Sequence, residues 1–146
     1  RLKHCNFTNP HGLSNKNNHA SASDILLLMN YALKYTALSE VMNKADHRCT
    51  VITWDHKPEL FRWFNTNKLL NKYFVASKTG ITPAAGPCLV SAFRFGPYEA
   101  RGCLIDSKST TIRWKEMATI LLWQFDYYLK TNKIAAYNKQ IVEEFK

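Results

Sequence analysis

The chain predicts an α+β fold, an antiparallel sheet flanked by helices. Two observations carry this. Residues 24–38 and 111–130 have the apolar spacing of helices. Between them, Phe74–Thr79, Cys88–Phe95 and Glu99–Asp106 are short, β-prone runs separated by Pro/Gly turns.

Taken in order, residues 1–23 read as extended and polar, punctuated by Asn9-Pro10-His11-Gly12. Ser23 and Asp24 make a good helix start, since a side-chain oxygen caps free N–H groups and a carboxylate suits the positive helix end. The helix Asp24–Leu38 is apolar almost all round, which implies burial on several sides. A short helix is expected over Ser39–Ala45, then a β-branched strand over Cys49–Trp54. Pro58–Leu70 is mixed, with helical turns expected around Glu59–Phe64 and a turn at Asn65-Thr66-Asn67. Gly96-Pro97 joins the last two strands tightly, making them antiparallel neighbours. Cys88–Phe95 is apolar on both faces and should be the central strand. In Thr111–Lys130, Trp114, Met117, Ala118, Leu121, Phe125 and Leu129 form one broad packing face. Ile134, Tyr137, Ile141 and Phe145 suggest an added amphipathic helix in 131–146, so the chain divides into a domain over 1–130 and a helical tail.

Of the 146 residues 46% are hydrophobic and 13% aromatic, which argues for a folded chain rather than a disordered one. The formal charge of +9 permits an acidic partner, yet no run of four basic residues occurs, which argues against a dedicated nucleic-acid surface. Four separated cysteines make no Cys-x-x-Cys pair, and five histidines lack ligand spacing, so no metal site is expected. Cys88 and Cys103 lie on consecutive strands and could meet across a hairpin; two buried thiols are the simpler reading. No apolar stretch reaches the length of a membrane span. The opening Arg1-Leu2-Lys3-His4 suggests a processed or partial product.

The most informative segment is Ser77-Lys78-Thr79-Gly80-Ile81-Thr82-Pro83-Ala84-Ala85-Gly86, in which a strand edge presents a cation, a hydroxyl and bare backbone N–H groups. Lys-Thr-Gly resembles the third motif of the penicillin-interacting serine enzymes. Asn9-Pro10-His11-Gly12-Leu13 with Ser21-Ala22-Ser23-Asp24, then Asn65-Thr66-Asn67-Lys68-Leu69-Leu70, then Cys88-Leu89-Val90-Ser91-Ala92 follow in the order seen in serine-type D-Ala-D-Ala carboxypeptidases. The resemblance covers about residues 2–129. It implies the C-terminal part of a β-lactamase/transpeptidase-like domain that uses no metal or organic cofactor.

Carried over by position, the resemblance makes Lys78 the cation for a peptide's terminal carboxylate. Thr79 adds a hydroxyl contact, Gly80 lets the substrate lie close, and the Ile81 N–H is an oxyanion-hole donor. Thr82 and Arg113 contribute secondary contacts. No Ser in the chain is followed three positions on by Lys, and no convincing Ser-x-Asn element occurs, so the nucleophile is absent from these residues. Family members carry both upstream of Asn-Pro-His-Gly. The resemblance therefore implies a partner: the upstream part of the same protein, or other subunits. Two functions follow: the substrate-binding side of a carboxypeptidase, exported to the periplasm if it follows the bacterial family, or a catalytically inactive relative serving as a structural subunit of a larger, intracellular assembly.

Overall fold

The computed structural model describes residues 2–70 and 73–131. Its elements are β1 (Cys5–Asn6), β2 (His19–Ala20), α1 (Ala22–Ala32), α2 (Thr36–Asn43), β3 (Asp46–Ile52), β4 (Pro58–Phe64), β5 (Phe74–Thr82), β6 (Gly86–Phe95), β7 (Tyr98–Leu104) and α3 (Ile112–Thr131). Three antiparallel sheets result: β1-β2, β3-β4 and the meander β5-β6-β7. The expected α+β class, and the central place of the strand at Cys88–Phe95, are what the chain adopts. The tail expected at 131–146 falls outside the described residues beyond Thr131.

α3 covers one face of the meander. Its Trp114, Met117, Leu121, Phe125 and Leu129 recur every three or four residues and are all buried, against Phe74, Leu89, Phe93 and Ala100. Phe93 meets Phe74 edge-on at 5.5 Å and Phe125 at 6.0 Å. Gly102 lets the helix come this close, since a Cβ there would lie 2.5 Å from the Met117 sulfur. On the other face Met29 of α1, with Ile25, Leu26 and Leu33 beside it, packs on Ala76, Val90 and Ala92.

Four expectations change. α1 is capped by Ser21 rather than Ser23, through a 3.1 Å bond from the Asp24 N–H to the Ser21 hydroxyl. It also ends at Ala32, not Leu38: the Leu33 and Lys34 amides bond back to Met29 and Tyr31, and the chain turns into α2 at Thr36 instead of Ser39. The all-round apolar pattern of α1 does not bring all-round burial, because only one face meets the sheet and Leu27 and Tyr31 stay exposed. Finally, Pro58–Phe64 is a strand rather than helical turns. It pairs with β3 from Ile52↔Pro58 to Asp46↔Phe64, and Pro58, as first residue, costs the ladder little. The connecting turn is built by Thr53, whose N–H and hydroxyl both donate to the Lys57 carbonyl at 3.0 and 2.9 Å.

Two side chains tie these parts together. The buried Asp24 carboxylate accepts from the backbone N–H groups of His4 (2.5 Å) and Lys3 (3.1 Å), fastening the N-terminal segment to α1. The His4 N–H bond is the main cause holding its carboxyl below the ordinary carboxylate range. Asn65 donates from its amide to the carbonyls of Met42 (3.1 Å) and Lys44 (2.8 Å), fastening the loop before β5 to the end of α2.

Because the Asp24 carboxyl is depressed on folding, its stabilisation is present above the unfolded value near 3.8 and is lost as pH falls through the folded one. Thermal melts of wild type and Asp24→Asn should therefore differ at neutral pH and converge in acid; a gap independent of pH would contradict this. Asn65→Ala strands two carbonyls and should cost about 1–3 kcal/mol in urea unfolding.

Candidate functional site

Whatever chemistry the Lys-Thr-Gly segment supports is set by how β5 pairs with β6. The register is Lys78↔Val90, Thr79↔Leu89, Gly80↔Cys88 and Ile81↔Pro87. Pro87 has no N–H, and its carbonyl accepts from the Ser107 N–H at 2.9 Å, on the side away from β5. Ile81↔Pro87 is therefore a non-hydrogen-bonded pair, and the N–H and C=O of Ile81 point away from β6. The same alternation turns Thr79 outward. β5 is an edge of its sheet, so among the described residues these groups face an open margin.

Lys78 is exposed, and its ammonium donates to the outward carbonyl of Thr79, so it reaches round to that same margin. The Thr79 hydroxyl lies 3.1 Å from the hydroxyl of Thr66. Gly80 has an ordinary backbone φ, and a Cβ there would touch only Cys88 at 3.8 Å. Nothing inside the described fold demands glycine at this place; a ligand lying close over the strand would. Thr82 sits at the end of β5, where its hydroxyl accepts from the Ala85 N–H at 3.1 Å and shapes the turn to β6. Gly86 closes that turn with φ +61°, and a Cβ on it would collide with Asp106 at 2.1 Å.

Arg113 occupies the first turn of α3 and is only 8% exposed. Its guanidinium donates from Nη1 to the carbonyls of Gly80 (3.4 Å) and Cys88 (3.3 Å), bridging β5 and β6 from the α3 side, and lies 4.7 Å from the Trp114 ring. Its Nε is shielded, with no partner among the described residues. The sequence placed Arg113 near the substrate segment, and the structure brings it against the Gly80 carbonyl. Lys78, Thr79 and Gly80, but not Arg113, line a cleft of about 430 Å³ between the sheet and the segment Asn18–Ala20.

Sequence reading missed Thr66 and the cleft floor. Thr66 lies between the two asparagines of the Asn-x-Asn element, and that position was the available signal. Cys88 and Cys103 belong to the floor; both are free thiols. Burial, and secondarily the neighbouring Cys88, pushes the Cys103 thiol up to about 11. Among the described residues no group of three His, Cys, Asp or Glu side chains could hold a metal ion.

A strand edge with outward N–H groups, a lysine beside it and an arginine beneath it gathers backbone donors and positive charge at one margin of a sheet-and-helix domain. Comparison with known proteins agrees with the motif order: the model of the D-alanyl-D-alanine carboxypeptidase family matches residues 1–101, and the chain belongs to that family. It is 25% identical over 129 residues to the D-alanyl-D-alanine carboxypeptidase DacF of Bacillus subtilis, covering 87% of this chain and 32% of DacF. Among solved structures, the DD-transpeptidase of Streptomyces superposes with a TM-score of 0.79 at 25% identity, over 84% of this chain and 48% of that one. The D-alanyl-D-alanine carboxypeptidase of Mycobacterium tuberculosis, at 19% identity and TM-score 0.72, shares the fold over 86% of this chain and 48% of its own. The chain thus spans about a third of the Bacillus relative and half of the solved ones.

A thiol raised this far is almost wholly protonated near neutrality. Iodoacetamide should modify Cys103 at least tenfold more slowly than an ordinary exposed thiol, read by peptide mass spectrometry of the native protein. Equal rates would show that the cleft floor is open.

Proposed function

We propose that this chain forms the carboxylate-binding and oxyanion side of a serine-type D-Ala-D-Ala carboxypeptidase site. The observation that supports this best is the outward-facing Ile81 N–H on the same free edge that Lys78 reaches. A peptide ending in a carboxylate lies along β5; the ammonium of Lys78 and the hydroxyl of Thr79 hold the terminal carboxylate by charge-assisted and neutral hydrogen bonds. The Ile81 N–H then donates to the scissile carbonyl oxygen, where negative charge grows as the tetrahedral intermediate forms. Gly80 admits the peptide backbone. Thr82 holds the turn from which the edge is presented. Arg113 contributes from behind: its positive charge, with no carboxylate partner among the described residues, raises the potential at the margin, and its bonds to the Gly80 and Cys88 carbonyls fix the spacing of β5 and β6.

The nucleophile and its base come from a Ser-x-x-Lys element outside these residues, supplied by the upstream part of the same protein. Its seat is consistent with the open margin of β5 and with the exposed apolar residues of α1 and α2, Leu27, Tyr31, Leu38 and Val41. Among the described residues no helix is long and apolar enough to cross a membrane.

A fluorescent penicillin tests the reading on the intact protein with its upstream sequence. Covalent labelling is expected, with Lys78→Ala slowing acylation about a hundredfold. Absence of labelling in the folded wild-type protein would overturn the proposal and leave the inactive structural relative in its place.

A further inference from the structure

A second cleft, of about 470 Å³, opens on the α1 side of the meander at the end remote from Gly80, between the sheet and the α1–α2 corner. The β6-β7 register sets Arg94 opposite Glu99 and Arg101 opposite Ala92, which puts all three charged side chains on the sheet face that α1 covers. Glu99 accepts from Arg94 Nε at 2.7 Å and from Arg101 Nη2 at 3.0 Å. One carboxylate is thus shared by two guanidinium groups, and Lys34 adds a third cation to the lining, with no ion pair among the described residues. Two positive charges are left uncompensated in a concave site. Arg101 keeps 30% of its side chain exposed, while its Nε–H is shielded and has no hydrogen-bond partner among the described residues. Asn30 and Asn43, on the α1–α2 wall, add neutral hydrogen-bonding groups.

We propose that this cleft is a binding site for a compact oxyanion group, a phosphate or a carboxylate, held by Arg101 and Arg94 with Lys34 and partly opposed by Glu99. It is separate from the carboxylate margin of β5 and does not depend on the reading given for that margin. Two guanidinium groups flanking a three-cation recess match a group with several acceptor oxygens better than a monatomic anion, because each fork donates along two directions. Glu99 acts as a built-in competitor that keeps the arginines extended and ordered when the site is empty.

The test follows the arginine Nε–H resonances of the intact protein while inorganic phosphate, and separately acetate, is added at fixed ionic strength and neutral pH. A saturable shift of the Arg94 and Arg101 side-chain resonances is expected, with a dissociation constant on the order of a millimolar. Preference for one anion identifies the group. Glu99→Gln removes the competitor and should tighten binding at least threefold, whereas Arg101→Met should weaken it at least tenfold; Lys57→Ala, on the distant β3-β4 turn, should change nothing. Should Arg101→Met fail to fold, wild type and Glu99→Gln decide the matter. A linear, unsaturable shift, or Glu99→Gln binding no tighter than wild type, would overturn the proposal.

Discussion

The pairing of β5 with β6 is the constraint on which the rest of the site depends. A strand has two margins and two faces, and moving its register by one residue exchanges both. Here the exchange is blocked at several places at once. Pro87 cannot donate to β5, its carbonyl is taken by Ser107, and the turn runs through Gly86 at positive φ, where a Cβ would strike Asp106. Ala76 and Val90 must also meet α1 while Leu89 and Phe93 meet α3. With that register fixed, the backbone of Thr79 and Ile81 has nowhere to point except outward.

Arg113 shows how the core reaches this edge. Its own helix is anchored by Trp114, Met117 and Leu121, so the guanidinium is carried to the sheet by packing rather than by attraction to a partner charge. It then bonds two carbonyls on adjoining strands. A buried cation met, among the described residues, by two carbonyl dipoles and the Trp114 ring but by no carboxylate is costly to keep, and a fold that tolerates one beside the edge strand of its sheet has placed positive potential there without exposing a flexible side chain.

Much of this was legible in the sequence. The meander and α3 were readable because β-branched and aromatic runs broken by Gly96-Pro97, followed by a strict helical stripe from Trp114 to Leu129, leave little choice. The motif residues around Lys78 were readable for the same reason, being bracketed by strong elements. The β3-β4 hairpin was not. Its second strand lacks alternation, since Leu60, Phe61, Trp63 and Phe64 are apolar without a period and all are exposed, and the turn at Thr53–Lys57 uses side-chain bonds instead of a glycine pair. Likewise α1 carries apolar residues on an outer face that no described residue covers, so the pattern overstated its burial. The contact of Arg113 with the Gly80 carbonyl depends on tertiary packing across 33 residues, which no local pattern encodes.

The meander β5-β6-β7 and the helix after it are consecutive in the chain, joined by a few residues at each step. Within the meander β6 and β7 each close on the strand before, and α3 folds back on what has just been laid down, so each contact seals only a short loop and forfeits little chain entropy. The half of the molecule that holds the Lys78 margin is thereby built from short loop closures, and among the described residues both outer strands, β5 and β7, keep an edge open to a neighbour.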